Sequence, residues 1–123
     1  MILGVQDIYY NVTDMALAVD FYHRVLGMRW IDGDAWWTSL DCGGVRIGLH
    51  STEGAPVPRV PREAHGAHAG ATLTLRVADA AAARAQLEAA GAVILGELDA
   101  AWGHMVVFED PDGNVLKLMQ PKP

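Results

Sequence analysis

A chain of 123 residues, 51% hydrophobic and 20% charged, is long enough for one compact domain with a sizeable buried core. Its net charge of −6, with the nine Lys and Arg scattered rather than striped, argues against nucleic acid as a partner. No apolar run approaches the ~18 residues of a membrane span, "MILGVQDIYY" lacks the basic region and cleavage site of a signal peptide, and Cys42 stands alone, so the expectation is a cytoplasmic protein without an intrachain disulfide.

In chain order, "QDIYYNVTD" predicts a strand ending at Asp14, a good N-cap for the helix "MALAVDFYHRVLG". Met15, Val19, Tyr22 and Leu26 fall at helical spacing, and Gly27 is placed to end the helix. Three strand candidates follow, "MRWID", "AWWTSLDC" and "VRIGLHS". A Pro-, Gly- and Ala-rich stretch, "STEGAPVPRVPREAHGAHAG", reads as an exposed linker or lid. Then "ATLTLRVAD" predicts a strand ending at Asp79, and "AAAARAQLEAAG" a helix to Gly91 with Ala83, Leu87 and Ala90 on one face. The last three strands are "AVILGEL", "HMVVFED" and "VLKLMQ".

The chain thus reads as βαβββ twice, an α+β fold of two tandem modules forming a curved mixed sheet around a cleft. Within the single domain 1–123, residues 1–52 form the first module, 53–70 the linker and 71–121 the second. The capping aspartates lie 65 residues apart and the glycines before the last strands, Gly44 and Gly113, 69 apart, so the second copy carries four extra residues in between. One helix on one face of each sheet leaves the other face free to line a ligand pocket.

"NVTDMALAVDFYHRVLGM" and "WGHMVVFEDPDGNVLKLMQ" resemble the signatures of the vicinal oxygen chelate superfamily, which includes glyoxalase I, extradiol dioxygenases, fosfomycin-resistance enzymes and bleomycin-resistance proteins. The resemblance covers nearly the whole chain. The "DPDGN" turn also stands on its own chemistry: Pro111 fixes φ, Asp110 or Asp112 accepts backbone N–H bonds, and Gly113 supplies φ > 0. Its acids lack the alternating oxygen ligands of a calcium loop.

In metal-dependent members, the resemblance implies ligands on the first and last strands of each module. Carried over, these positions are Asp7, Gly48, Thr72 and Lys117. A catalytic divalent ion wants about three N or O donors, and this set offers one carboxylate, no imidazole and an ammonium, so no metal and no other cofactor is expected. An Asp7–Lys117 salt bridge across the cleft is expected instead, testable by the distance between their head groups.

His50 lies two residues beyond a mapped position, where a slip in register would bring it inward. His65 and His68 belong to the linker, His23 to an exposed helix face, and His104 to a strand. Four tryptophans, Trp30, Trp36, Trp37 and Trp102, lie on or beside strands; core packing accounts for any one of them. Adjacent Trp36 and Trp37 must face opposite ways, so one is expected in the cleft.

With Tyr9, Tyr10 and Phe108 the tryptophans sketch an aromatic pocket for a flat or cationic compound. The resemblance then implies a metal-free small-molecule binding protein of the bleomycin-resistance type, a homodimer associated with antibiotic resistance. Its ligand-binding residues would be Asp7, Tyr9, Trp36, Trp37, Gly48, His50, Thr72, Trp102, Phe108 and Lys117. The alternative is a lyase, isomerase or dioxygenase of the same superfamily, using a metal held by residues such as Asp7, His50 and Glu97, or Lys117 or Asp7 as acid or base.

Overall fold

The computed structural model describes residues 1–59 and 71–123; the expected His65 and His68 pair lies outside the described residues. The chain divides into two compact units, 1–57 and 58–123. Among the described residues each contains a four-stranded mixed sheet and one helical segment, in the same order.

In the first unit, β1 (Ile8–Val12) runs parallel to β4 (Val45–Ser51), which is followed across the sheet by antiparallel β3 (Trp37–Cys42) and β2 (Arg29–Gly33). In the second, β5 (Leu73–Arg76) runs parallel to β8 (Val115–Pro121), followed by β7 (Gly103–Glu109) and β6 (Val93–Ala100). The helices α1 (Met15–Val19) and α2 (Ala80–Ala89) connect the first two strands of each unit.

Both helices start as the sequence predicts. An oxygen of Asp14 accepts from the backbone N–H of Leu17 at 3.1 Å, and an oxygen of Asp79 accepts from Ala82 at 3.0 Å, each satisfying an N–H that has no partner within the helix. Both modules then reverse at a glycine in the left-handed region, Gly27 at φ 76° and Gly91 at φ 82°.

Between cap and glycine the copies differ by one residue, since 14 to 27 is a longer span than 79 to 91. The extra residue is absorbed as a π-helical turn, Asp20–Val25, that continues α1. There the N–H of Leu26 reaches the carbonyl of Phe21 at 2.9 Å, one residue further back than in an α-helix. The buried residues are accordingly Ala18, Phe21 and Tyr22, while Met15, Val19 and Leu26 are only half-buried. In α2 the α-period holds, with Ala80 and Leu87 buried, although Ala90 caps the helix in solvent.

The four residues that lengthen the second copy lie in the β6–β7 hairpin. The pair Gly33 and Thr38 closes β2 against β3, whereas the corresponding pair Glu97 and Val106 is followed by further paired residues out to Ala100 and Gly103. β2 and β6 carry a bulge at the same place, between Trp30 and Asp32 and between Ile94 and Gly96.

On the helix side, each sheet buries alternate residues. Val12, Leu40, Ile47 and Leu49 form one core and Val106, Phe108, Leu116 and Leu118 the other, each side chain contributing about 1.5–3 kcal/mol by leaving water. The turn before β8 is held by Asp110, which is 5% exposed. Its Oδ1 accepts from the N–H groups of Asp112 and Asn114, both at 2.9 Å, and its Oδ2 from the Asn114 amide at 2.8 Å. Of the two candidate acceptors, Asp110 is the one that ties the turn.

Candidate functional site

The face of the first sheet opposite α1 gathers side chains from three strands. Tyr9 on β1 is registered with Gly48 on β4, and Gly48 with Ser39 on β3. Two residues along, Asn11 pairs with His50 and His50 with Trp37. The ring centroids of Tyr9 and Trp37 lie 5.4 Å apart, those of Tyr9 and His50 5.9 Å, and those of Trp37 and His50 6.2 Å. All three are tilted or edge-on contacts in the favourable range for aromatic pairs.

Gly48 makes this cluster possible. A Cβ at Gly48 would meet the Trp37 ring at 2.2 Å and the Tyr9 Cβ at 3.0 Å, so the indole fills the space over the bare backbone of Gly48. The Trp37 Nε1 donates to Ser39 Oγ at 2.9 Å, which fixes the ring. The His50 Nδ1 lies 3.1 Å from the Asn11 side-chain oxygen. An amide oxygen only accepts, so Nδ1 is the donor in this contact, which in the neutral ring leaves Nε2 as the acceptor. Tyr9 is 52% exposed and His50 is exposed, leaving aromatic surface and a hydrogen-bond acceptor open to a ligand.

His50 reaches this face without any slip in register, because residues two apart on a strand point the same way. Trp37 is the member of the tryptophan pair that joins the cluster; Trp36 precedes β3 and is exposed. Asp7 precedes β1 and lines a recess with Val5, Gly44, Val45 and Arg46, apart from Gly48. Asn11 and Ser39 were not singled out from sequence, although the alternation through Tyr9 and Trp37 contains both.

The second sheet carries a buried apolar cluster on its face away from α2. Met105, Val107, Val115 and Met119 pack with Leu95 and Leu98, and Lys117 sits among them, registered with Val107 and Thr74. Thr72 precedes β5, and Thr74 is the residue opposite Lys117. Phe108 is fully buried on the helix side, because it alternates with Val107. Trp102 is exposed in the β6–β7 turn. Asp7 and Lys117 belong to separate units.

Glu97 faces α2. It accepts from Arg84, with His104 Nε2 2.5 Å from its other oxygen, and Arg84 also donates to Glu88 at 2.5 Å. The His104 contact, then Arg84, holds the Glu97 carboxyl below its ordinary range. This ionic clasp joins helix to strand, so Glu97 lies on the opposite face of the sheet from Lys117.

The residues at the mapped positions do not fit a divalent ion. Gly48 has no side-chain donor and is covered by an indole, and Lys117 brings a positive charge. Among the described residues no three of His, Cys, Asp and Glu converge as a metal site would require.

No curated protein matches the chain in sequence. Among solved structures, SMU.1112c is 22% identical, with 98% of this chain and 100% of that one covered at a TM-score of 0.76. The fosfomycin resistance protein FosX from Listeria monocytogenes is 15% identical over 99% and 96%, with a TM-score of 0.79, and it has also been crystallised with Mn(II). TnmS3, an antibiotic binding protein from Streptomyces sp. CB03234, is 26% identical over 99% and 100%, with a TM-score of 0.67. The family model for the glyoxalase/bleomycin resistance protein/dioxygenase superfamily matches residues 4–118. With two βαβββ modules of identical strand order and that match over nearly its whole length, the chain belongs to the glyoxalase/bleomycin resistance protein/dioxygenase superfamily.

Proposed function

We propose that the chain is a metal-free small-molecule binding protein that sequesters a planar aromatic compound on the open face of its first module. The observation that carries this proposal is the Tyr9, Trp37 and His50 cluster laid over Gly48, which puts aromatic surface where metal-dependent relatives would carry a ligand. Tyr9 and Trp37 supply ring faces, and His50 Nε2 accepts a hydrogen bond from an N–H or O–H on the ligand. Sequestration needs no bond making, so it places no demand on a nucleophile or a metal.

The likeness to TnmS3 supports an antibiotic as the compound. A cytoplasmic location and association as a homodimer belong to the same proposal; light scattering of the purified chain reads the second.

Naphthalene, acridine and anthraquinone derivatives titrated against tryptophan fluorescence test the binding proposal. At least one is expected to quench the intact chain with micromolar affinity and to bind Trp37→Ala at least about tenfold more weakly, the loss of about 1.4 kcal/mol of stacking. Equal affinity in Trp37→Ala, or no quenching by any core, would overturn it.

A further inference from the structure

The two modules treat the seam between helix and sheet differently. Five residues beyond each capping aspartate stand Val19 and Arg84, and at corresponding strand pairs stand Gly33 and Glu97. In the second module Arg84 and Glu97 bond across the seam and close it, with His104 on the far side of the carboxylate. In the first module Val19 and Gly33 cannot form that clasp, and both line an open groove of about 770 Å³.

Met15, Val19 and Trp30 give the groove apolar walls, and Trp30 is 45% exposed. Its charged rim is Asp20, Arg24 and Asp34, with His23 beside them. Arg24 is bound by both oxygens of Asp20, at 2.6 and 2.9 Å, so that pair cancels. Asp34 Oδ1 accepts from the N–H groups of Trp36 and Trp37, at 2.8 and 3.0 Å. Those two bonds hold the Asp34 carboxyl below its ordinary range, and no cation pairs with it among the described residues. His23 Nδ1 donates to the Met28 carbonyl at 2.7 Å.

We propose that this groove is a second binding site, for a small amine with an aromatic or alicyclic body: the body against Trp30, Met15 and Val19, the ammonium toward Asp34. The charge balance selects the cation, since among the described residues the rim charge without a counterion is the Asp34 carboxylate, and an exposed indole attracts a cation by about 0.5–1 kcal/mol more. The site lies on the helix side of the sheet, the opposite face from Tyr9, Trp37 and His50. It therefore stands or falls independently of the function proposed above.

Three ligands with one alicyclic body, which lacks the planar rings expected on the open face, separate the possibilities: cyclohexylmethylamine, cyclohexylmethanol and cyclohexanecarboxylate, titrated by calorimetry into the intact chain and into Trp30→Ala, Asp34→Asn and Trp37→Ala. Asparagine keeps Oδ1 as an acceptor for the two N–H groups, so Asp34→Asn removes charge without undoing the turn. The amine is expected to bind the intact chain best, to weaken at least about fivefold in Trp30→Ala, and to lose its advantage over the alcohol in Asp34→Asn. Trp37→Ala is expected to leave its affinity within about twofold. The proposal is overturned if the carboxylate or the alcohol binds as well as the amine, or if no amine binding is detected. It is equally overturned if Trp37→Ala, rather than Trp30→Ala, removes binding, a result that would leave the open-face proposal standing.

Discussion

The indole of Trp37 occupies the space that a side chain at position 48 would need, with its ring 2.2 Å from where a Cβ would stand. Gly48→Ala therefore forces either the ring or the Tyr9 Cβ to move. A destabilisation of about 1–3 kcal/mol is expected, as for other overpacked sites, measured by urea unfolding together with a shift in tryptophan emission. An unchanged midpoint would mean that the ring swings aside freely.

The same pair bears on metals. Offered Mn, Fe, Ni and Zn in turn and then dialysed, the purified chain is expected to hold far less than one ion. Elemental analysis of the tag-free protein checks this. A stoichiometric ion would place the donors outside the mapped set.

Asp110 gathers three hydrogen bonds in a nearly buried turn. Asp110→Ala leaves two backbone N–H groups without their acceptor, at a cost on the order of 3 kcal/mol. Asp110→Asn keeps Oδ1 and should recover part of that, so denaturant midpoints are expected in the order Asp, Asn, Ala.

The clasp of the second module titrates. The Glu97 carboxyl is depressed below its ordinary value of 4.5, first by His104 and then by Arg84. A depressed carboxyl contributes its full stabilisation above the unfolded value and loses it as pH falls through the folded one. Glu97→Gln should therefore be less stable than the parent at pH 7, with the gap closing as pH drops below 4.5. Parallel unfolding curves for the two proteins across that range would show that the clasp contributes nothing.

The repeat was plain in the sequence because its punctuation is local. Asp14 and Asp79 cap, Gly27 and Gly91 reverse the chain, and period-two runs lie between turn residues. The π-helical turn was not, because its cause, one residue more in the first helix, shows only when the two copies are aligned residue by residue. The site was half legible. Alternation guaranteed that Trp36 and Trp37 would part, but only the pairing of Trp37 with His50 says which one meets Tyr9. Phe108 was assigned to a pocket on residue type, whereas its pairing with Leu116 puts it in the core. The groove beside Trp30 left no motif, since it exists through a side chain that Gly33 lacks.

The bulges in β2 and β6 fall at matching places, between Trp30 and Asp32 and between Ile94 and Gly96. Both strands lie at the rim of their sheets, where unpaired backbone groups would otherwise invite a foreign strand to add on. A bulge breaks the ladder and twists the rim, so neither strand is an unbroken template. An ancestral unit that was copied and joined to itself would have doubled its exposed edges; here the guard against aggregation is present in both copies.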